Sequence, residues 1–331
     1  RQRFLHWELA FINVFAQRGG FDFVIGNPPW VNVDWNEAGL LSEYDPRIAV
    51  RKVSASDVTR LRDGVFASYG EARKSYLTEF ADTVGARAFF SSEGNYAALS
   101  GTRTNLYKYF IPLAFRVVGG EGVTGYLHPE GIYDDPKGGK LRSEVYPRLR
   151  FHAQFINELK LFDIHHCVTY GLNVYGPKRD EVNFRTISKL YHPSTLEESL
   201  AARDLTAELP LERNAKGTWN TVGHPDRVVP VSDDTLSVFV KLYDDAGTPR
   251  REARLPALYT QQFLKPILDK FAHAQKKMGE CLYGVSDCWN ETTAQKDGTI
   301  KRKTGFAPSA DEVIYSGPLF FVGNPINKTA R

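Results

Sequence analysis

The chain has 331 residues, with 42 Lys+Arg against 39 Asp+Glu, so its formal net charge is only +3. A 42% apolar fraction that includes 21 Phe, 16 Tyr and 5 Trp supplies enough surface for a packed core and excludes general disorder. Three Cys exclude a disulfide framework and suit a reducing cytoplasm, no apolar run approaches the ~20 residues that cross a bilayer, and +3 does not by itself argue for nucleic acid. The length allows two domains or one large core with an appendage. The chain opens on Arg1 and its only Met is Met278, so we read it as a piece of a longer polypeptide.

Apolar spacing at Leu5, Leu9, Ile12, Val14 and Phe15 predicts an amphipathic helix over 3–17, stopped by Gly19-Gly20. Phe21 to Gly26 is a short apolar run, expected as an interior parallel strand buried on both faces. It runs into Asn27-Pro28-Pro29-Trp30, where two prolines bar both helix and ladder pairing. A strand that stops in a rigid loop is where open α/β sheets place ligands. From Asn36 to Ser92 the pattern is helical and charged, clearest over 57–66 and 75–90. Next come a helix over 104–118 ended by Gly119-Gly120, a strand over 122–128, a helix over 140–149 and a strand over 154–162. Strands over 167–175 and 182–190, joined by Gly176-Pro177-Lys178, have no helix between them and are expected to pair antiparallel near one edge. This alternation argues a doubly wound α/β sheet.

After Tyr191 the character changes. His192-Pro193-Ser194 opens a helix, and a polar, proline-punctuated segment then runs to about Pro230. Helices are predicted over 232–243 and 259–278, and short strands with a basic hairpin-like insert over 296–303 complete the chain. A boundary is placed within 192–230.

The sharpest chemical signal is Asn27-Pro28-Pro29-Trp30. The exocyclic amine of adenine is a poor nucleophile, because its lone pair is delocalised into the ring. Acceptors from the Asn27 amide and the Pro28 carbonyl would hold both amine hydrogens and pull the nitrogen toward tetrahedral geometry. The lone pair is then free for in-line attack on a methyl sulfonium. The prolines keep those acceptors preorganised, and Trp30 offers a face for an unstacked base. The bland alternative is a rigid loop capping a strand.

His6-Trp7, Val14-Phe15, Gly20-Phe21-Asp22 and Gly26-Asn27-Pro28-Pro29-Trp30 together resemble the fourth motif region of γ-class N6-adenine DNA methyltransferases. Within that class the motifs resemble those of large fused restriction–modification methylases and of BREX- and DISARM-type phage-defence systems. Asn105-Leu106-Tyr107 resembles that family's fifth motif, which places Phe110 beside the cofactor adenine. Gly122 to Pro129 resembles the next strand. Phe162 to Tyr175 resembles the sixth to eighth motif region, where an aromatic helps sandwich the flipped base; His165 takes that place by one alignment and Tyr170 by another.

The resemblance covers residues 3–190. It implies the C-terminal part of a Rossmann-like, S-adenosylmethionine-dependent methyltransferase sheet, followed by the start of an α+β target-recognition region. The implied division is a partial catalytic domain over 1–191, a linker over 192–230 and a recognition region over 231–331. Double-stranded DNA is the implied partner, with further defence-system subunits as candidates, no membrane, and a cytoplasmic location. The family's glycine-rich cofactor loop and acidic ribose ligand have no counterpart here, so the cofactor site is expected to be incomplete. The rival readings are methylation of an RNA base or a protein glutamine, and a non-catalytic DNA-binding or scaffold remnant.

Weaker features read as structural. His165-His166-Cys167 has no partner pair at ligand spacing, so no metal is expected. Cys281 and Cys288 read as ordinary buried residues, and Val322-Gly323-Asn324-Pro325 as a turn. Lys301-Arg302-Lys303 could contact DNA phosphates or form a solvated hairpin tip.

Overall fold

The described chain opens on two short helices and a strand, and a run of helices then separates that strand from the rest of the sheet. The structure, a computed structural model, describes residues 5–51, 53–201, 208–263 and 267–274, with 281–282, 284, 290–301 and 309 beyond them. The chain divides into two compact units, Arg1–Ala274 and Gln275–Arg331. The predicted first helix is broken at Phe11 into α1 (Trp7–Ala10) and α2 (Ile12–Arg18), and Gly19, in the left-handed region, ends α2. Strand β1 (Phe21–Gly26) follows.

A helical layer comes next: α3 (Glu37–Tyr44), α4 (Arg47–Val50), α5 (Ala55–Ser68), α6 (Ala72–Ser91) and α7 (Glu93–Tyr96). The Asn36 and Ser54 side chains cap α3 and α5 by accepting from Gly39 N–H and Asp57 N–H. Leu41, Ile48, Val58, Val65 and Ala72 give these helices a small core of their own.

The sheet elements follow as α8 (Leu106–Val117), β2 (Val118–Pro129), α9 (Gly131–Asp134), α10 (Gly139–Val145), β3 (Leu149–Ile156), β4 (Thr169–Tyr175) and β5 (Asn183–Leu190). The chain continues through α11 (Pro193–Ala201), β6 (Val229–Ser232), α12 (Asp233–Tyr243) and α13 (Asp269–Ala272). The six strands are ordered β1-β2-β4-β3-β5-β6. β1 runs parallel to β2 and β3 parallel to β5, whereas β4 is antiparallel to both its neighbours and β6 is antiparallel to β5. One face packs on α8, α10 and α12 through residues such as Ile111, Val145, Leu236 and Phe239. The other buries Ala153, Phe155, Tyr170, Ile187 and Leu190 under Leu196 of α11.

Several expectations are corrected by this topology. β1 is not interior: among the described residues it ends the sheet, with Phe23 and Ile25 71% and 83% exposed. Period-two alternation sends Val24 to the core while Phe23 and Ile25 face outward, so an apolar run alone did not reveal which faces are covered. The strands around 167–175 and 182–190 do not pair with each other, because β3 lies between them. Residues 176–182 step over the start of β3 rather than turning back: Gly176 N–H donates to Arg148 O and Arg179 N–H to Pro147 O. β3 itself begins five residues earlier than expected, since α10 stops at Val145.

The first compact unit continues past 192–230, because β6 pairs with β5 and α12 packs in the same core. Of the long helix expected over 259–278, the described residues show a 3₁₀ turn at Gln261–Phe263 and a helical stretch over 267–272 that includes α13. In the second unit, α14 (Glu291–Lys296) occupies the approach to the basic insert where strands were expected. Met278, Cys288, Arg302, Lys303 and Val322 to Pro325 lie outside the described residues. Among those described, no helix is long and apolar enough to cross a membrane.

The α2–β1 turn presses against the junction of α8 and β2. Gly20 has φ +150°, and a Cβ there would fall 2.6 Å from Gly119 N and 2.7 Å from Val117 O. Gly20→Ala is therefore expected to lower stability by about 1–3 kcal/mol, read as a lower urea midpoint at unchanged slope. An unchanged midpoint would contradict this close approach.

Candidate functional site

Pro28 is buried directly after β1, whereas Asn27 and Pro29 are exposed and Trp30 is half-buried. The residues beyond Trp30 are stitched to the start of α8. Val33 N–H donates to Thr104 O at 3.0 Å, Leu106 N–H to Val31 O at 2.9 Å, and Asn105 Nδ2 to Asn32 Oδ1 at 3.0 Å. An ion pair between Arg103 and Asp34, at 2.7 Å, closes the same seam. Two motifs some 75 residues apart in sequence thus become neighbours, as Asn32↔Asn105 forms an isolated antiparallel bridge.

This seam places Phe110 of α8 and the Asn27–Pro29 loop on the walls of one open cavity of about 390 Å³, together with Ala114 and Tyr126. Among the described residues, no charged side chain lines it. The apolar wall suits a planar ring, and the exposed Asn27 amide provides polarity at its rim.

Trp30 is held by the sheet. Its Nε1–H points to Leu127 O at 3.4 Å, and its ring centroid lies 5.8 Å from Tyr170 and 6.1 Å from Phe162. Tyr170 in turn stacks on Phe155 at 5.6 Å. Tyr170 is only 2% exposed, so the structure removes it as a stacking face for an incoming base and makes it the floor beneath Trp30. His165, the other aligned residue, is exposed in a turn with His166 and Cys167. Sequence reasoning did not single out Phe162, the half-buried aromatic that reaches Trp30. Its loop is fixed by fully buried Asn157, which donates to Phe162 O and Ile164 O and accepts from Phe162 N–H. Lys301, the one described member of the basic trio, is exposed in the second compact unit.

Behind the loop, the ends of β2, β3 and β4 enclose a polar network that the sequence did not reveal. Its members become a set only once strand register is known. Glu130 accepts from His152 Nε2 at 3.0 Å and from Gln154 Nε2 at 3.1 Å, and His152 Nδ1 lies 2.8 Å from Thr186 Oγ1. Tyr133 O–H donates to Asn173 Oδ1. Fully buried His128 places Nδ1 2.8 Å from Pro129 O and Nε2 2.8 Å from the Tyr175 hydroxyl. Because a carbonyl only accepts, Nδ1 carries the proton and Nε2 accepts from Tyr175, which is the neutral ring. Burial accordingly pushes the His128 pKa down to about 4, outweighing the favourable pull of Pro129 O and Glu130.

Residues 1–57 match the profile of the Eco57I restriction-modification methylase family. No functionally curated protein matches the chain. Solved structures that overlap it include the methyltransferase subunit of a type I restriction-modification system from Streptococcus thermophilus (11% identity, 51% of this chain and 26% of that one, TM-score 0.26). Others are the DrdV–DNA complex (13% identity, 50% and 14%, TM-score 0.29) and the type I restriction enzyme EcoKI M protein (11% identity, 52% and 44%, TM-score 0.29). The chain thus spans less than half the length of each.

The buried neutral imidazole sets a pH dependence. His128 titrates near 4 when folded against an ordinary value of 6.5, so the unfolded chain takes up the proton first. Its contribution is complete above about pH 6.5, is lost as pH falls toward 4, and amounts to at most about 3 kcal/mol. In urea melts at pH 7 and pH 4.5, His128→Gln is expected to lose less stability on acidification than the parent. Equal losses would place the acid sensitivity elsewhere.

Proposed function

We propose that this chain carries the amine-activating part of a γ-class, site-specific N6-adenine DNA methyltransferase from a restriction–modification or BREX- or DISARM-type phage-defence system. The observation that carries the reading is the Asn27-Pro28-Pro29-Trp30 loop at the carboxyl end of a parallel strand, with its Asn27 amide exposed on the cavity that Phe110 also lines. The match of residues 1–57 to the restriction-modification methylase family supports it.

In this reading the target adenine is flipped out of double-stranded DNA. Asn27 Oδ1 and the Pro28 carbonyl accept its two amine hydrogens, localising the lone pair on nitrogen. The prolines hold both acceptors in place before reaction, so little reorganisation opposes the step. Trp30, braced from below by Tyr170 and Phe162, presents its remaining surface to the base, and exposed His165 is the second stacking candidate. After methyl transfer the amine proton is acidic enough to leave to water, so no side chain need act as base.

S-adenosylmethionine supplies an electrophilic methyl group when bound. The residues present fit its flat and apolar portions: Phe110, Ala114 and Tyr126 form an uncharged wall beside Asn27. Among the described residues this wall presents no carboxylate to its ribose, so our proposal leaves that contact to other parts of the protein. That uncharged lining also supports a second reading, a non-catalytic DNA-binding remnant of such a system. In our proposal the partial catalytic domain of residues 1–191 also takes in β6 and α12, which complete its sheet and core. Recognition functions fall to the chain beyond α12, where Lys301, Arg302 and Lys303 are assigned to DNA phosphates. A cytoplasmic location accompanies this role, and methylation of RNA or protein glutamine is the competing substrate class.

The two roles inside one loop separate experimentally in the full protein. Asn27→Ala is expected to slow single-turnover methylation by ~10²–10³ or more with DNA affinity little changed, because most affinity comes from phosphate contacts. Trp30→Ala is expected to cost ~1–3 kcal/mol in holding the extruded base, and Trp30→Phe to recover most of it. A target adenine opposite a mismatch is already cheaper to extrude, so it should rescue Trp30→Ala in part and leave Asn27→Ala inactive. Equal rescue of both variants would refute this division of labour, and a full protein that methylates no DNA would favour the remnant.

A further inference from the structure

Sequence spacing offers His165-His166-Cys167 no second ligand pair, yet the fold supplies what spacing lacks. Residues 165–168 form a tight turn closed by Val168 N–H donating to His165 O at 3.1 Å. The turn gathers all three side chains on one exposed side, their ligand atoms within 4.8 Å of one another. Cys167 Sγ lies 3.5 Å from His166 Nδ1 and 3.6 Å from Nε2, beside the ring and off the line of either lone pair. Ligands at zinc bond lengths of about 2.0 and 2.3 Å in a tetrahedron sit roughly 3.3–3.8 Å apart, so rotation of these exposed side chains brings the sulfur and Nε2 onto one ion. Behind the ring, Glu158 Oε2 is 2.9 Å from His166 Nδ1. A carboxylate there fixes the proton on Nδ1 and leaves the Nε2 lone pair free for an ion, the usual support behind a metal-bound imidazole.

We propose that His165, His166 and Cys167 form a binding site for a borderline-soft divalent cation of the zinc class, supported by Glu158 and completed by water. His166 contributes Nε2 and Cys167 its sulfur. His165 contributes Nδ1, whose lone pair now takes only a long, 3.3 Å hydrogen bond from Cys167 N–H that the ion replaces. On binding, the Cys167 thiol releases its proton to solvent. Two neutral imidazoles and a thiolate select such an ion over the oxygen-preferring Mg²⁺ and Ca²⁺. The loop beneath is rigid: Asn157 is fully buried and ties down both Phe162 and Ile164. Since Phe162 packs on Trp30, an ion in the turn clamps the segment that braces the proposed base platform.

The test reads metal directly and does not depend on methyl transfer. Untagged protein is titrated with Co²⁺ and then Zn²⁺, following the thiolate-to-cobalt charge-transfer band. One Co²⁺ per chain is expected, with the band displaced by Zn²⁺. Cys167→Ser should abolish the band with the circular dichroism unchanged. Replacing both Cys281 and Cys288 by Ser should leave it intact. Glu158→Gln should keep the band while weakening affinity about 10- to 100-fold. No band in the parent, or a band that survives Cys167→Ser, would overturn the assignment.

Discussion

One antiparallel strand wedged between two parallel ones, β4 between β2 and β3, sets where the rest of the site lies. Both its edges are saturated by ladder bonds, so the side chains it carries have little freedom to shift. Tyr170 near its start becomes the floor under Trp30, and Tyr175 at its end donates to His128. Gly171 between them leaves room for Glu130, whose carboxylate a Cβ at that position would strike. The wedge therefore governs the aromatic brace on one side and the polar network on the other.

A second constraint runs across the strand ends. The hydrogen bonds joining residues 31–33 to 104–106 bring a loop and a helix start together, and every partner in that seam is local to one of the two motifs. Rigidity at Asn27 thus has two sources: proline stereochemistry within the loop and the seam immediately after it. Neither would suffice alone, because a stiff loop on a loose tether still samples many orientations.

Whatever depended on local chemistry was legible in the sequence. β1 appears at the expected residues, its loop follows at the carboxyl end, and Asn105-Leu106-Tyr107 opens a helix that brings Phe110 to the same cavity. What depended on pairing between distant segments was not. Gly176-Pro177-Lys178 looks like a hairpin turn, yet it carries the chain over β3, because the partners of β4 are decided by burial of Tyr170, Tyr175 and Phe155 together. The choice between His165 and Tyr170 turned on which ring is covered, a property of packing that alternation cannot encode. Likewise Glu130 and His152 lie 22 residues apart and meet only through the register of β3 against β4 and the chain leaving β2. The expected change near 192–230 was a change in composition, and β6 still returned to the sheet.

The position of β1 at the end of the sheet has a consequence for handling the chain. Among the described residues its outer backbone donors and acceptors have no ladder partner, and Phe23 and Ile25 stand beside them in solvent. Asp22 is the only charge in that strand, and it is engaged by Arg18. An extended rim with apolar flanks, whose single charge is already paired, is a template for recruiting another extended segment. Among the described residues, this one margin of the sheet is where a further extended segment would find free backbone groups and apolar side chains together.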